Sequence, residues 1–258
     1  MPNVDSHLPN TFCWAELATT DPGAAKAFYG ELFGWSLQDS PMPEGVYTMA
    51  SIKDRNVGAM YKMRDEQRKQ GVPSHWLNYI SVTNADQTAN SIERNGGKLM
   101  TKPFEVMDFG RMVVATDPRG AMFALWQPRR HSGAKIVNEP GAMCWTELST
   151  RDVEASKRFY KAVFGWEMKT DTSPTPYTEL SVPGKSFGGM LAIQKEWGDV
   201  PSHWMPYFAV ADCDATVDRA AKLKGVVHVP ARDIPKVGRF SVLQDPTGAA
   251  FAIISFPT

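Results

Sequence analysis

The sequence carries no excess charge of either sign: its 258 residues include 28 basic and 28 acidic side chains, for a formal net charge of zero. A protein that grips a nucleic-acid backbone needs a basic surface, so the composition argues against a nucleic-acid partner. Cysteine is scarce. The three present, Cys13, Cys144 and Cys213, are an odd number with no short spacing. That excludes a disulfide framework and fits a reducing, cytoplasmic setting. No apolar stretch approaches the roughly 20 residues that span a bilayer. The opening MPNVDSHLPN has neither the basic flank nor the apolar run of a secretory signal, so no membrane partner is expected. A Ser-His-Asp pattern and a Gly-rich phosphate loop are also missing; Gly188-Gly189 reads as a strand irregularity. A chain this long buries sizeable cores without help from a metal or a disulfide. The expectation is a globular protein, monomeric or homodimeric, of one large or two ordinary domains.

What is present is a duplication. CWAEL at 13–17 returns as CWTEL at 144–148, and FYGELFGW at 28–35 returns as FYKAVFGW at 159–166. Ser74-His75-Trp76 returns as Ser202-His203-Trp204, and Asp117-Pro118-Arg119-Gly120-Ala121 as Asp245-Pro246-Thr247-Gly248-Ala249. The offset drifts by only three residues, which surface loops tolerate. The reading is two homologous halves, 11–127 and 142–256, joined by a polar linker over 128–141.

Each half divides again. Phe12–Thr19 reads as a strand; Asp21 caps a helix with Pro22 at its first position, and Ala25, Phe28, Tyr29 and Leu32 follow at helical spacing. Gly34 suits the position just beyond that helix. Short strands follow over Tyr47–Ile52 and Val57–Met63. The order then restarts with a strand at Trp76–Val82 and a helix at Ala85–Arg94, and short strands run on to Trp126. Asp117-Pro118-Arg119-Gly120 has the signature of a type I turn. The predicted architecture is α+β, with four βαβββ modules, two per half.

The module order, the Asp that opens the helix, Phe28-Tyr29…Phe33-Gly34-Trp35 and Asp-Pro-x-Gly before the last strand together resemble the vicinal oxygen chelate superfamily. That superfamily includes glyoxalase I, extradiol dioxygenases, methylmalonyl-CoA epimerase and the bleomycin- and fosfomycin-resistance proteins. The CWxEL and SHW pairs and Leu125-Trp126-Gln127 are similar to a tandem two-domain, glyoxalase-like subgroup that includes a mycobacterial secreted antigen. The resemblance implies paired modules curled into a cup whose floor holds a divalent metal. It places the ligand positions at Trp14, Leu77 and Ala124 in the first half and at Trp145, Met205 and Ala252 in the second. Indole, aliphatic and thioether side chains are poor ligands for such a metal. The expectation is therefore a metal-independent cup without a cofactor. The alternative is a displaced centre using Glu16 with His75, and Glu147 with His203.

With period-two alternation, Trp14, Leu77, Tyr79, Met122 and Trp126 share the inward face of the first half, and Trp145, Met205, Tyr207 and Ile254 that of the second. An aromatic cup with a few polar anchors suits a small organic ligand. Glu16 and Glu147 are the candidate catalytic residues, either as general bases or as anchors, with raised pKa values unless paired. The candidate ligand-binding residues are Trp14, Tyr47, His75, Tyr79, Arg111 and Trp126, with Trp145, Tyr177, His203 and Arg239 in the second half. Arg111 and Arg239 are the candidate partners for the two glutamates or for a substrate anion; His75 and His203 also suit bonding to nearby backbone. Cys13 and Cys144, of opposite parity to the tryptophans, are expected as core fillers. The leading function is small-molecule binding. The alternatives are a glyoxalase-like lyase, isomerase or dioxygenase using the displaced metal, and a regulatory protein whose cups are filled.

Overall fold

Short-range signals set the elements. Asp21 is extended at φ −138° and its carboxylate accepts from Ala24 N at 3.0 Å, while Gly34 ends the helix in the left-handed region at φ 69°. Asp152 and Gly165 repeat both devices. The computed structural model describes residues 4–42, 45–172 and 175–257. Its first half runs β1 (Phe12–Thr19), α1 (Pro22–Phe33), β2 (Ser36–Met42), β3 (Gly45–Ile52), β4 (Arg55–Lys62), α2 (Asp65–Lys69), β5 (His75–Ser81), α3 (Ala85–Arg94), β6 (Lys98–Leu99), β7 (Phe104–Val106), β8 (Gly110–Thr116) and β9 (Met122–Pro128). The second runs β10 (Met143–Thr150), α4 (Val153–Phe164), β11 (Glu167–Asp171), β12 (Tyr177–Val182), β13 (Lys185–Ala192), β14 (His203–Ala209), α5 (Cys213–Lys222), β15 (Val226–Ile234), β16 (Gly238–Gln244) and β17 (Ala250–Ser255). Among the described residues no helix is long and apolar enough to cross a membrane.

The modules pair within each half. One sheet has the order β2-β3-β4-β1-β5-β9-β8-β6, with β7 also on β8; the other is β11-β12-β13-β10-β14-β17-β16-β15. The central strands β1 and β5 run antiparallel, as do β10 and β14, so each sheet is two βαβββ modules joined at a local two-fold. The fold is α+β in four modules. One face of each sheet forms a cup, and the other carries the helices.

The helix-bearing faces of both sheets meet in one apolar core. Phe28 and Phe33 of α1 lie against Phe251 and Phe208 of the second half, with ring centroids 6.1 and 5.1 Å apart. Reciprocally, Tyr160 and Phe164 of α4 lie against Phe123, at 6.0 and 5.9 Å. The repeated motifs are concentrated at this seam. Trp76 Nε1 donates to Tyr29 O–H at 3.0 Å, and Trp204 Nε1 to Tyr160 O–H at 2.8 Å. Tyr160 then donates across the halves to Asp117 at 3.1 Å. Tyr29 is held well above the usual phenol pKa by burial and by the facing charge of Asp245. Thus FY, SHW and Asp-Pro-x-Gly, three of the four motifs that reveal the duplication, supply a Trp–Tyr–Asp chain that locks one half to the other.

The connecting segment does more than tether. Ala134 and Ile136 are buried, and its backbone bonds to β1, to β4 and to the N-terminal segment: Ala134 N to Cys13 O at 2.8 Å, Lys135 N to Asn56 O at 2.7 Å and Val4 N to Lys135 O at 3.0 Å.

Candidate functional site

The two central strands carry the site. Opposite Leu77 on β5, Glu16 projects from β1 into the first cup, and opposite Met205 on β14, Glu147 projects from β10 into the second. In the first cup Tyr47 O–H donates to Glu16 Oε1 at 2.5 Å, Tyr79 O–H to Oε2 at 2.6 Å and Trp14 Nε1 to Oε1 at 3.2 Å. Burial raises the Glu16 pKa, and the three donors pull the other way. Burial, with the facing Glu16 charge, also raises Tyr47, Tyr79 and the neighbouring Tyr61. The arrangement is an apolar bowl with a single carboxyl group anchored by two phenols.

The second cup repeats this with one change. Tyr207 O–H donates to Glu147 Oε1 at 2.8 Å, but Trp145 Nε1 donates at 2.9 Å to Tyr177 O–H rather than to the carboxylate. Glu147 is thus raised by burial and lowered by Tyr207, Tyr177 and the guanidinium of Arg232. Arg232, on β15, also lies over the Phe240 ring at 4.9 Å. Gly189 makes the change possible. It pairs with Glu147 on β10, and a Cβ there would lie 2.0 Å from the Tyr177 hydroxyl oxygen. Its counterpart beside Glu16 is Ala59. Gly189→Ala is therefore expected to force Tyr177 away from Trp145 and Glu147. The change costs about 1–3 kcal/mol and red-shifts the tryptophan emission, whereas Ala59→Gly, which crowds no phenol, leaves the emission nearly unchanged.

Trp14, Tyr79, Trp126, Trp145 and Tyr177 thus line the two cups, with Tyr47 on Glu16. Several other candidates lie elsewhere. Arg111 is not a partner of Glu16: it forms a bidentate pair with Asp86 at 2.8 and 2.8 Å and meets Glu105 at 3.0 Å. Arg239 likewise holds Asp214 and Asp233 rather than Glu147. Asp86 and Asp214 stand in the first turn of α3 and α5, so both arginines pin a helix to its sheet. His75 and His203 sit at the start of β5 and β14, with Nδ1 2.9 and 2.8 Å from the carbonyls of Pro73 and Pro201. Cys13 is fully buried, as a core filler should be, and Cys144 half-buried, but both join the cup clusters beside the tryptophans, because a bulge between Phe12 and Trp14, repeated between Met143 and Trp145, breaks the alternation. Burial pushes Cys144 up to about 12 and Cys213 to about 11, so neither is a ready nucleophile. Sequence reasoning missed Tyr61, His131 and Arg232. The segment holding His131 reads as plain polar chain, and Arg232 sits among charged and turn residues.

The donor set does not fit a divalent metal. Trp14, Leu77 and Ala124, with Trp145, Met205 and Ala252, occupy the floors, and the two oxygens of Glu16 already accept from phenols. Among the described residues no three His, Cys, Asp or Glu side chains converge, and His75 and His203 engage the Pro73 and Pro201 carbonyls through Nδ1.

The cups also differ in access. Trp14 is 2% exposed and Leu77 4%, whereas Trp145, Met205 and Cys144 are only half-buried. An open groove of about 320 Å³ adjoins the second cup through Ile234, with Gly238, Ser255 and Phe256 along it.

Two curled sheets, each with a carboxyl-centred cup, define a glyoxalase-like protein of tandem domains. The chain belongs to the Glyoxalase/Bleomycin resistance protein/Dioxygenase superfamily, whose family model matches residues 11–125 and 142–253. It is 40% identical over 258 residues to CFP32 of Mycobacterium tuberculosis, whose name groups it with glyoxylases, covering 98% of each chain. It is 33% identical to the anthracycline biosynthesis protein DnrV of Streptomyces peucetius, covering 95% of this chain and 93% of that one. Its fold is similar to that of the Mn(II)-bound glyoxalase of Novosphingobium aromaticivorans, with a TM-score of 0.66, 15% identity, and 96% and 82% of the two chains covered.

Proposed function

We propose that the protein binds a flat aromatic molecule bearing a hydroxyl or amino donor in its second cup, with Glu147 as the anchor and without a metal in the site. The observation that carries this reading is the difference between the two carboxyl groups. Glu16 has all its donors supplied from within, whereas Glu147 gives up its tryptophan donor to Tyr177 and keeps acceptor capacity beside a half-buried indole. Trp145 and Phe240 offer ring surfaces, and Arg232 at the rim favours a ligand with an electron-rich edge. The likeness to a protein named for anthracycline biosynthesis supports a polycyclic phenol, since anthracyclines are flat, fused-ring phenols.

Titration with hydroxyanthraquinones, followed by quenching of tryptophan fluorescence, tests the reading. Saturable quenching is expected, lost in Trp145→Ala and weakened about tenfold or more in Glu147→Gln, because a charge-assisted bond is replaced by a neutral one. Trp14→Ala should leave the binding constant unchanged. Equal quenching in the Trp145→Ala protein, or none across the series, would discard it.

A further inference from the structure

We propose that the first cup is itself a binding site for a flat, uncharged heteroaromatic ring, and that its occupant is the chain's own His131. Among the described residues the cluster lining the second cup consists of strand residues alone, but that of the first includes Ala134 and Val137 from the connecting segment. Just ahead of them the imidazole of His131 enters. Its ring stands edge-on to Trp14, with centroids 4.7 Å apart at 87°, and meets Trp126 at 5.9 Å and 71°. Two indoles set nearly perpendicular to one small ring form an aromatic box, which recognises the shape and the edge of a flat heterocycle.

The backbone holds the ring there from both sides. Trp126 Nε1 donates to His131 O at 2.8 Å, and His131 N donates to Phe109 O at 3.1 Å. Beyond it, Gly133 takes φ +110° so close to β1 that a Cβ would lie 2.5 Å from Cys13 O; only glycine allows the chain to bend this near the cup. The chemistry of the occupant is less well matched than its shape. His131 Nε2 is buried and accepts or donates no hydrogen bond among the described residues. A heterocycle lacking that nitrogen, or able to satisfy it, would sit in the box at lower cost. Burial, with Lys135 and His7 nearby, lowers the imidazole pKa to about 4, so the ring that fills the box is the neutral one. This inference does not rest on a ligand in the second cup.

Chemical rescue tests it. His131→Ala is expected to lower the thermal midpoint by a few degrees, and 4-methylimidazole to restore most of that loss saturably while changing tryptophan emission. The same addition should not move the wild type or His228→Ala, whose histidine is exposed. The cation 1,3-dimethylimidazolium should not rescue. Trp126→Ala added to His131→Ala should abolish the response, and Trp145→Ala should leave it intact, which separates the first cup from the second. A non-saturable response, an equal response in His228→Ala, or rescue by the cation overturns the proposal. So does a His131→Ala chain that fails to fold, because an occupant is dispensable where a scaffold residue is not.

Discussion

Expressed separately, residues 4–137 and 138–257 are each expected to give no cooperative thermal transition, and co-expression to restore one. The reason is the seam. Phe12 packs on Trp166, Phe187 and Trp204, and Phe28 and Phe33 pack on Phe251 and Phe208. Each large apolar side chain returned to water costs about 1.5–3 kcal/mol. Releasing even five of them removes about 7–15 kcal/mol, as much as the whole stability of an ordinary domain. Separation also strips Asp117 of Tyr160, Gly141 O of the Trp35 indole donor at 2.8 Å and Asn10 O of Trp166 at 2.7 Å. Differential scanning calorimetry of each piece and of the mixture is the measurement. Two independent transitions in the separate pieces would show that the shared core contributes little.

The contribution of His131 to stability should be lost as pH drops from about 6.5 toward 4. Its folded pKa is about 4 against an ordinary 6.5, chiefly through burial. Between those values the unfolded chain binds the proton and the folded chain does not, so ∂ΔG/∂pH is positive and stability is lost on acidification. The difference corresponds to about 3 kcal/mol at most, fully expressed below pH 4. His7 and His203, also lowered by burial, act with the same sign. Glu16 and Glu147 act oppositely: burial raises their pKa values, so their share is present below about 4.5 and declines as pH rises through the raised values. The clean observable is therefore a difference. Urea midpoints of wild type and His131→Ala should converge as pH falls from 7 to 4. Parallel profiles would show that His131 is not buried as a neutral ring.

Much of this arrangement is legible in the sequence because it is local or periodic. The Asp21 cap, the left-handed Gly34 and the type I turn closed by Gly120 N to Asp117 O at 3.0 Å depend on a few adjacent residues. The inward set of Trp14, Leu77, Tyr79 and Trp126 follows from alternation. The same rule fails for Cys13 and Cys144, since one extra residue in a bulge reverses parity and leaves no mark in composition. It also cannot choose partners: Arg111 and Arg239 meet helix-start aspartates, while a different arginine, Arg232, is the one whose charge lowers the pKa of Glu147.

By itself the sequence determined the duplication, the four modules and the order of their elements, while the resemblance to the vicinal oxygen chelate superfamily implied that tryptophan, aliphatic and thioether side chains stand at the ligand positions. These are properties of chain order and repeat, written within a few residues of each other. Tertiary structure alone decided that the modules pair within each half, that the repeated FY, SHW and Asp-Pro-x-Gly residues meet across the seam, and that a segment reading as polar linker closes one cup while the other stays open. Those outcomes depend on contacts such as those between residues 43 to 156 positions apart, whose energies depend on the packing of whole sheets and not on any local pattern.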